Sequence, residues 1–345
     1  MDRFATGGAG LSIVINGVQV QGLMHASITT TNCFSADSFA LTLAIGQPPL
    51  GDIDFWGAIS VAYVEIFVAT LSDMTSRVLI TGMADSVLID PILGTIAIEG
   101  RDLSASMIDS YRQQDFVNQT AAQVVATIAQ YHGLGAAVEP TAGSVGRYYG
   151  DGYTRLSLGR FSRLRSDWDM VVQLARENSF DVYVLGTTLF FLPSARAPNA
   201  PVPLAVGDVQ RVRIERRLSI TPNTTARVQS WNSQSMATYD SGKPAVSSGS
   251  EQFPSTPGNQ AFLFSASNMT SQQVTDAANR YTAELTRLEK TLHIDMPWDF
   301  ALNPRTPILL YGTHSALDST YKIDSIERHY NSKSGSIQII RAAAF

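Results

Sequence analysis

Ser38-Phe39-Ala40-Leu41-Thr42-Leu43-Ala44-Ile45 alternates without a break, with Phe39, Leu41, Leu43 and Ile45 on one side and small or polar residues on the other. Successive side chains of an extended chain point to opposite faces, so this period of two marks a half-buried strand in a small barrel or sandwich. Outward from it, Leu11–Ile15, Val18–Gln21, Ala26–Thr31, Ala58–Ala69, Arg77–Ile89 and Gly94–Glu99 are also rich in β-branched and aromatic residues and bounded by turn residues, so they read as further strands. Asn16-Gly17 lies between the first two of these. That dipeptide suits a two-residue hairpin turn in which both central residues take positive φ.

Past residue 100 the period changes. Thr120-Ala121-Ala122-Gln123 fits a capping box, whose Thr and Gln side chains serve free N–H groups at a helix start. Val124, Val125, Ile128 and Ala129 then recur at helical spacing until Gly133, which predicts a helix of about twelve residues. Ser166-Asp167-Trp168-Asp169 opens a second helix with Trp168, Val171, Val172, Leu174 and Ala175 facing inward. Phe180–Leu185 and Thr188–Leu192, split by Gly186-Thr187, read as a hairpin. The block is thus helix, helix, hairpin.

Pro193, Pro198, Pro201 and Pro203 make a stiff connection and the best boundary in the chain. Strand character resumes at Val212–Ile220 and Ala226–Ser235, and Asp240 to Asn259 is a Ser-, Gly- and Pro-rich stretch without periodicity, which predicts a long exposed loop. Thr270-Ser271-Gln272-Gln273 is another capping box, followed by a stripe of Val274, Ala277, Ala278, Tyr281, Leu285 and Leu288 on a helix of about eighteen residues. Strands at Thr291–Met296, Ile308–Tyr311, Tyr321–Tyr330 and Ser336–Arg341 close the chain. No fixed internal period supports a solenoid or propeller. The expected class is α+β: β-barrel-like domains at residues 1–100 and 206–345, the second carrying one long helix, flank an α/β module at 101–205.

The chain has 345 residues, 44% of them hydrophobic and only 16% charged, with a net charge of −5. It is long enough for two or three domains with real cores and too rich in apolar residues to be disordered. Net acidity argues against a sequence-reading nucleic-acid binder, whose affinity comes from clustered Lys and Arg. The single cysteine, Cys33, excludes an intramolecular disulfide and reads as a small buried hydrophobe. The start has no secretory pattern, and the longest apolar run, Ala58 to Leu71, is interrupted by Ser60, Glu65 and Thr70. It falls short of the ~20 residues that span a bilayer, so a soluble, cytosolically made protein without a membrane anchor is expected.

Motifs for chemistry are weak. The histidines, His25, His132, His293, His314 and His329, show no helical metal-ligand spacing. Gly133-Leu134-Gly135 ends a helix where a dinucleotide fingerprint must begin one, and Gly242-Lys243-Pro244 puts Pro where a phosphate loop needs Ser or Thr. No Gly-x-Ser-x-Gly elbow occurs. Carboxylate pairs for glycoside hydrolysis remain open at Asp167/Asp169, Asp85/Asp90 and Glu99/Asp102, although Asp167 and Asp169 also suit the positive end of a helix. Arg147, Arg155, Arg160, Arg163 and Arg165, interleaved with Tyr148, Tyr149, Tyr153 and Phe161, form the one charge concentration. It reads as a solvated surface, a protein interface or, less in keeping with the acidic chain, a nucleic-acid contact. No catalytic residue, cofactor site or metal site is assigned.

Several stretches carry a family resemblance: Ile98-Glu99-Gly100-Arg101-Asp102-Leu103-Ser104; Phe116-Val117-Asn118-Gln119-Thr120-Ala121-Ala122-Gln123-Val124-Val125, leading to Tyr131-His132-Gly133-Leu134; Ser166-Asp167-Trp168-Asp169-Met170-Val171-Val172-Gln173-Leu174-Ala175-Arg176-Glu177; Thr188-Leu189-Phe190-Phe191; and Tyr321-Lys322-Ile323-Asp324-Ser325-Ile326-Glu327-Arg328-His329. Together with the order of elements, they resemble the baseplate hub proteins of contractile phage tails, the late-control-D family, related to the hub part of type VI secretion spikes. The resemblance implies a structural, non-enzymatic protein of the virion tail baseplate, assembled in the host cytoplasm. It implies a homotrimer with two barrel-like tube domains per subunit, a pseudo-hexameric ring around a DNA channel. That ring would join the sixfold tube, through a tube initiator protein, to the threefold spike, with wedge and tape measure proteins as further contacts. A low-charge surface suits such permanent burial between subunits. A peptidoglycan hydrolase using paired carboxylates is the alternative, and glycan or receptor binding a third.

Overall fold

The computed structural model describes residues 10–69, 76–150, 152–158, 165–194, 200–218, 225–232, 236–244, 261–267 and 269–344. The Ser38–Ala44 strand is as expected: Phe39, Leu41 and Leu43 are buried on one face. The Asn16-Gly17 turn has φ of 49° and 79°, with Ile15 opposite Val18.

The two β-rich halves each have a hydrophobic core of their own. Ile15, Ile28, Phe39, Leu41, Leu43, Val64, Ile66, Ile96 and Ile98 fill the first, and Leu292, Ile294, Met296, Ile308, Leu310, Tyr321, Ile323 and Ile340 the second. The strands around both belong to one thirteen-stranded sheet. Its path runs Arg211–Arg216, Lys290–Met296, Gly335–Ala344, Thr320–Asn331, Leu23–Thr31, Ser38–Ala44, Thr95–Asp102, Ser76–Asp90, Tyr63–Ala69, Gly10–Ile15 and Val18–Gln19. The seam between the halves is the antiparallel pairing of Thr320–Asn331 with Leu23–Thr31, from Ser325 opposite Thr31 to Asn331 opposite His25. Strand edges that could have closed each half are used to join them, so the sheet contains no closed barrel among the described residues. This refines the barrel-like expectation within an α+β fold.

Helix α1, Ile53–Ala58, was not expected: the sequence reads Ala58–Ala69 as one strand, but the strand starts at Tyr63. Asp52 caps the helix by accepting the Asp54 N–H at 3.0 Å, and Trp56 is buried with its indole N–H donating to the Leu50 carbonyl at 2.6 Å. A six-residue helix held by one cap and one aromatic leaves almost no periodic signal. Likewise, Val202–Ala205 follows the Pro-rich connection and pairs in parallel with Pro307–Tyr311. The expected strand Val212–Ile220 is Arg211–Arg216, with residues 219–220 outside the described residues.

Between the halves, α2 (Ala105–Ile108) precedes α3 (Ala121–Tyr131) and α4 (Asp167–Asn178). The capping box at Thr120 and Gln123 is present, and Ser166 pairs with Asp169 in the same way. Both helices bury one face, Val124, Val125 and Ile128 of α3 meeting Trp168, Val171 and Leu174 of α4 in a core shared with the Phe180–Leu185 and Thr188–Pro193 hairpin. That hairpin gains a third strand, Gly135–Val138, parallel to its second. Finally α5, Ser271–Arg287, packs Val274, Ala277 and Ala278 against a small sheet of Thr225–Asn232, Ala237–Pro244 and Ala261–Ser267. The stretch read as a loop from Asp240 thus begins inside a strand, and residues 245–259 lie outside the described residues.

Gly100 lies where two strands approach too closely for a side chain. A Cβ there would stand 2.2 Å from the Met83 carbonyl oxygen and 2.4 Å from Phe39 Cζ. Neither neighbour can yield without disturbing the sheet, so Gly100→Ala is expected to cost about 1–3 kcal/mol. Denaturant unfolding checks this; an unchanged midpoint would show that the sheet tolerates the methyl.

Candidate interaction surfaces

The Arg/Tyr stretch forms a sheet face. Arg147–Gly150 pairs with Tyr153–Leu158, which pairs with Gln114–Val117. Leu156, Leu158 and Phe116 turn toward the core of the α/β module. Arg147, Tyr149, Tyr153, Arg155 and Ser157 alternate with them and are exposed. Tyr149 and Tyr153 meet edge to face with centroids 6.2 Å apart. Arg147 faces Arg155 across the strands, and Asp115 relieves that like-charge contact by accepting from Arg155 at 2.5 Å and from Ser157 Oγ at 2.7 Å. The hydrogen bond from Arg155 holds the Asp115 carboxyl below its ordinary range. The sequence grouping therefore survives for Arg147, Tyr149, Tyr153 and Arg155; Tyr148 faces the other way, Arg165 lies just before α4, and Arg160, Phe161 and Arg163 lie outside the described residues.

A second exposed surface, this one apolar, is the tip of the long hairpin from Ser76–Asp90 to Thr95–Asp102. Ile92 is 96% exposed and Leu93 74%. Asp90 Oδ1 accepts both of their backbone N–H groups at 2.9 Å, so the turn presents them on a fixed backbone. Their exposure was not read from the sequence, because a Pro91-Ile92-Leu93-Gly94 turn looks like ordinary strand punctuation.

Residues 32–37 form a clasp where the two β-rich halves and the α/β module meet. The Phe34 N–H donates to the Val182 carbonyl at 3.0 Å, the Trp168 indole N–H donates to the Phe34 carbonyl at 3.3 Å, and the Asn32 N–H donates to the Asp324 carbonyl at 2.8 Å. Arg305 donates to the Asn32 carbonyl at 2.6 Å while lying 3.7 Å over the Tyr183 ring. Asp37 closes the loop, accepting from Thr31 N–H at 2.7 Å and Thr31 Oγ at 3.1 Å. Asp102, 65 residues away, accepts the Asp37 backbone N–H at 3.1 Å and the Ser104 N–H at 3.0 Å. Burial, with the neighbouring Asp102 charge, pushes the Asp37 carboxyl up to about 7. Burial also pushes the Cys33 thiol up to about 12, so this half-buried cysteine is a poor nucleophile.

A second polar cluster clamps the α/β module. Asp167, fully buried, accepts from Arg112 Nε at 2.9 and 2.8 Å through its two oxygens, and its Oδ2 lies 2.7 Å from His132 Nε2. Arg112 in turn stacks 4.0 Å over Tyr131. The trio ties the segment after α2 to the end of α3 and the start of α4.

Carboxylates of the sequence's pairs have structural partners. Asp85 is bound to Arg101 at 2.7 Å, Asp90 holds the hairpin tip, Asp169 closes the α4 capping box and Asp102 faces Asp37 instead of Glu99. Among the described residues no group of three or more His, Cys, Asp or Glu is placed to hold a metal. His329 lies 3.0 Å from Glu327 and near His25, with ring centroids 6.3 Å apart. Gly133 stops α3 at φ 70°, and Gly242-Lys243-Pro244 is strand, so neither glycine motif opens a phosphate site. No described helix is long and apolar enough to cross a membrane.

No protein-family model matches the sequence, and no curated protein matches it. Solved structures do, and they define the fold as that of phage tail proteins and the related type VI secretion spike components, a baseplate-hub-like architecture. A tail protein from Neisseria meningitidis superposes with a TM-score of 0.70 at 13% identity, over 98% of this chain and 97% of the other. The 43 kDa tail protein of prophage MuSo2 from Shewanella oneidensis gives 0.68 at 15% identity, over 97% and 96%. An Escherichia coli component of the type VI secretion system, described as structurally similar to T4 bacteriophage tail proteins, gives 0.58 at 10% identity, over 96% of this chain and 76% of that one.

Proposed function

We propose that the chain is a structural, non-catalytic hub subunit of a phage tail or tail-like injection machine, working as a homotrimer that joins a sixfold tube to a threefold spike around a channel. The observation that carries this reading is the open thirteen-stranded sheet, which spans both β-rich parts and whose main path ends in two different edges, Val18–Gln19 and Arg211–Arg216, with Val202–Ala205 at the end of a side branch. Unpaired strand edges invite pairing, and two unlike edges favour head-to-tail contacts that close into a ring. Full-length likeness of fold to two phage tail proteins supports the same setting. On this reading residues 1–100 and 206–345 supply the tube, six similar units from three chains, and 101–205 form a module beside it. The fixed Ile92/Leu93 tip suits permanent burial against a neighbour. An overall charge of −5 suits a conduit that passes DNA without holding it.

Light scattering and cryo-EM, on the protein alone and mixed with its spike, test the reading. A ring of three copies is expected. A stable monomer that never joins the spike would overturn it, and a clearing band in a peptidoglycan zymogram at low protein amounts would favour a hydrolase instead. In the same assay, Ile92→Asp with Leu93→Asp is expected to weaken assembly at least tenfold, about 1.4 kcal/mol, while leaving the melting temperature of the subunit unchanged. Assembly indifferent to both changes would remove the tip from the interface.

A further inference from the structure

Between the C-terminal end of α4 and the outer side of α5 lies a cleft of about 500 Å³, lined by Thr141, Glu177, Asn178, Phe180, Asp276 and Asn279 among others. Its volume is that of a small-molecule site, and its lining is divided almost evenly between polar and apolar surface. No part of the hub reading uses it.

The lining groups are only half committed. Glu177 spends one carboxylate oxygen on Gln173 Nε2, at 2.6 Å, and Asp276 one on Gln272 Nε2, at 3.0 Å. Asn178 donates its amide to the Leu174 carbonyl at 2.8 Å, which leaves its own oxygen as an acceptor. Thr141 Oγ accepts the Ala122 N–H at 3.0 Å and keeps its hydroxyl proton to give. Gln273, also on the wall, uses its oxygen to cap α5 and retains its amide donors. Phe180 adds an aromatic flank. Next to Asn279, Arg280 has Nε and Nη1 buried without a hydrogen-bond partner, its nearest carboxylate, Glu284, being 3.9 Å away. Burial raises the Glu177 proton affinity, and the Arg280 charge partly opposes this, so the two groups share one electrostatic environment.

This pattern selects by chemistry. Two carboxylates disfavour a phosphate or other anion, and hydrogen-bonding groups set among apolar surface disfavour a wholly apolar ligand. No trio of ligating side chains among the described residues offers a metal site. Interspersed donors and acceptors beside one aromatic ring match a molecule that presents hydroxyls around its edge and C–H groups on its face. We infer that the α4–α5 cleft is a binding site for a neutral, hydroxyl-rich ligand, a segment of a glycan chain.

Isothermal titration of the full chain with chitotetraose and with cellotetraose tests the inference. Saturable binding of at least one of them is expected, at dissociation constants below about 5 mM. Asp276→Ala with Asn279→Ala, both exposed on α5, is expected to weaken that binding at least tenfold with the melting temperature and near-ultraviolet circular dichroism unchanged. No saturation by either saccharide overturns the ligand class, and undiminished binding by the folded double variant overturns the location.

Discussion

Asp167→Ala lowers the stability of the protein by about 3–5 kcal/mol, the expected cost of removing one partner from a buried, hydrogen-bonded charge cluster. The size follows from what the carboxylate leaves behind. Arg112, whose side chain is 20% exposed, and His132, 7% exposed, would lose the acceptor that holds them at 2.7–2.9 Å. Asp167 also stands in the first turn of α4, where a negative charge meets the positive end of the helix. Chemical denaturation followed by tryptophan fluorescence reads the loss, since Trp168 is adjacent in sequence and buried. A loss below about 1 kcal/mol would mean that water replaces the carboxylate and that the cluster is not a clamp.

The second large effect is a dependence on pH set by the clasp. In the fold the Asp37 carboxyl gains its proton at about 7, against 3.8 when exposed. Between those values the folded state binds more protons than the unfolded one, so stability falls as pH rises, by up to about 1.4 kcal/mol per pH unit. Below the lower value the effect is absent, and above the upper one the full cost of a buried charge is in place. Burial shifts Asp102 in the same direction, whereas the hydrogen-bonded carboxyls of Asp115, Asp240 and Asp318 are lowered and act only at more acid pH. The melting temperature is therefore expected to drop between pH 5 and 8, most steeply midway between the two values and levelling off above about 7. Asp37→Asn keeps an acceptor for Thr31 but carries no charge, so it should flatten most of that slope and be the more stable form at pH 8. Parallel slopes for the two proteins would show that another group governs the transition.

What was legible in the sequence is what local geometry dictates. Three helix starts, at Thr120, Ser166 and Thr270, needed only a hydroxyl and a partner three residues on, and all three are present. The alternation of Ser38–Ile45 predicted its buried face because a strand's two sides differ by one residue. Joining the β-rich parts into one sheet was not legible, since no local pattern tells Leu23–Thr31 that its neighbour is Thr320–Asn331. The polar clusters were hidden for the same reason: Asp37 and Asp102 are 65 residues apart, and Arg112 and Asp167 are 55 apart. The Arg/Tyr stretch was noticed by composition, but its β pairing was masked by glycines that serve the turns, Gly152 among them at φ 70°.

The seam between Leu23–Thr31 and Thr320–Asn331 also bears on the order of events at the ribosome. Thr30 Oγ donates to the Ile326 carbonyl across 296 residues of chain. At translation rates of about 5–20 residues per second, the early strand waits roughly 15–60 s for its partner. During that interval the α/β core, whose strands and helices all lie between residues 105 and 193, can already be complete. The nascent first strands meanwhile keep an open edge in the cell, which makes slow synthesis through residues 200–320 a hazard for aggregation rather than a help to folding.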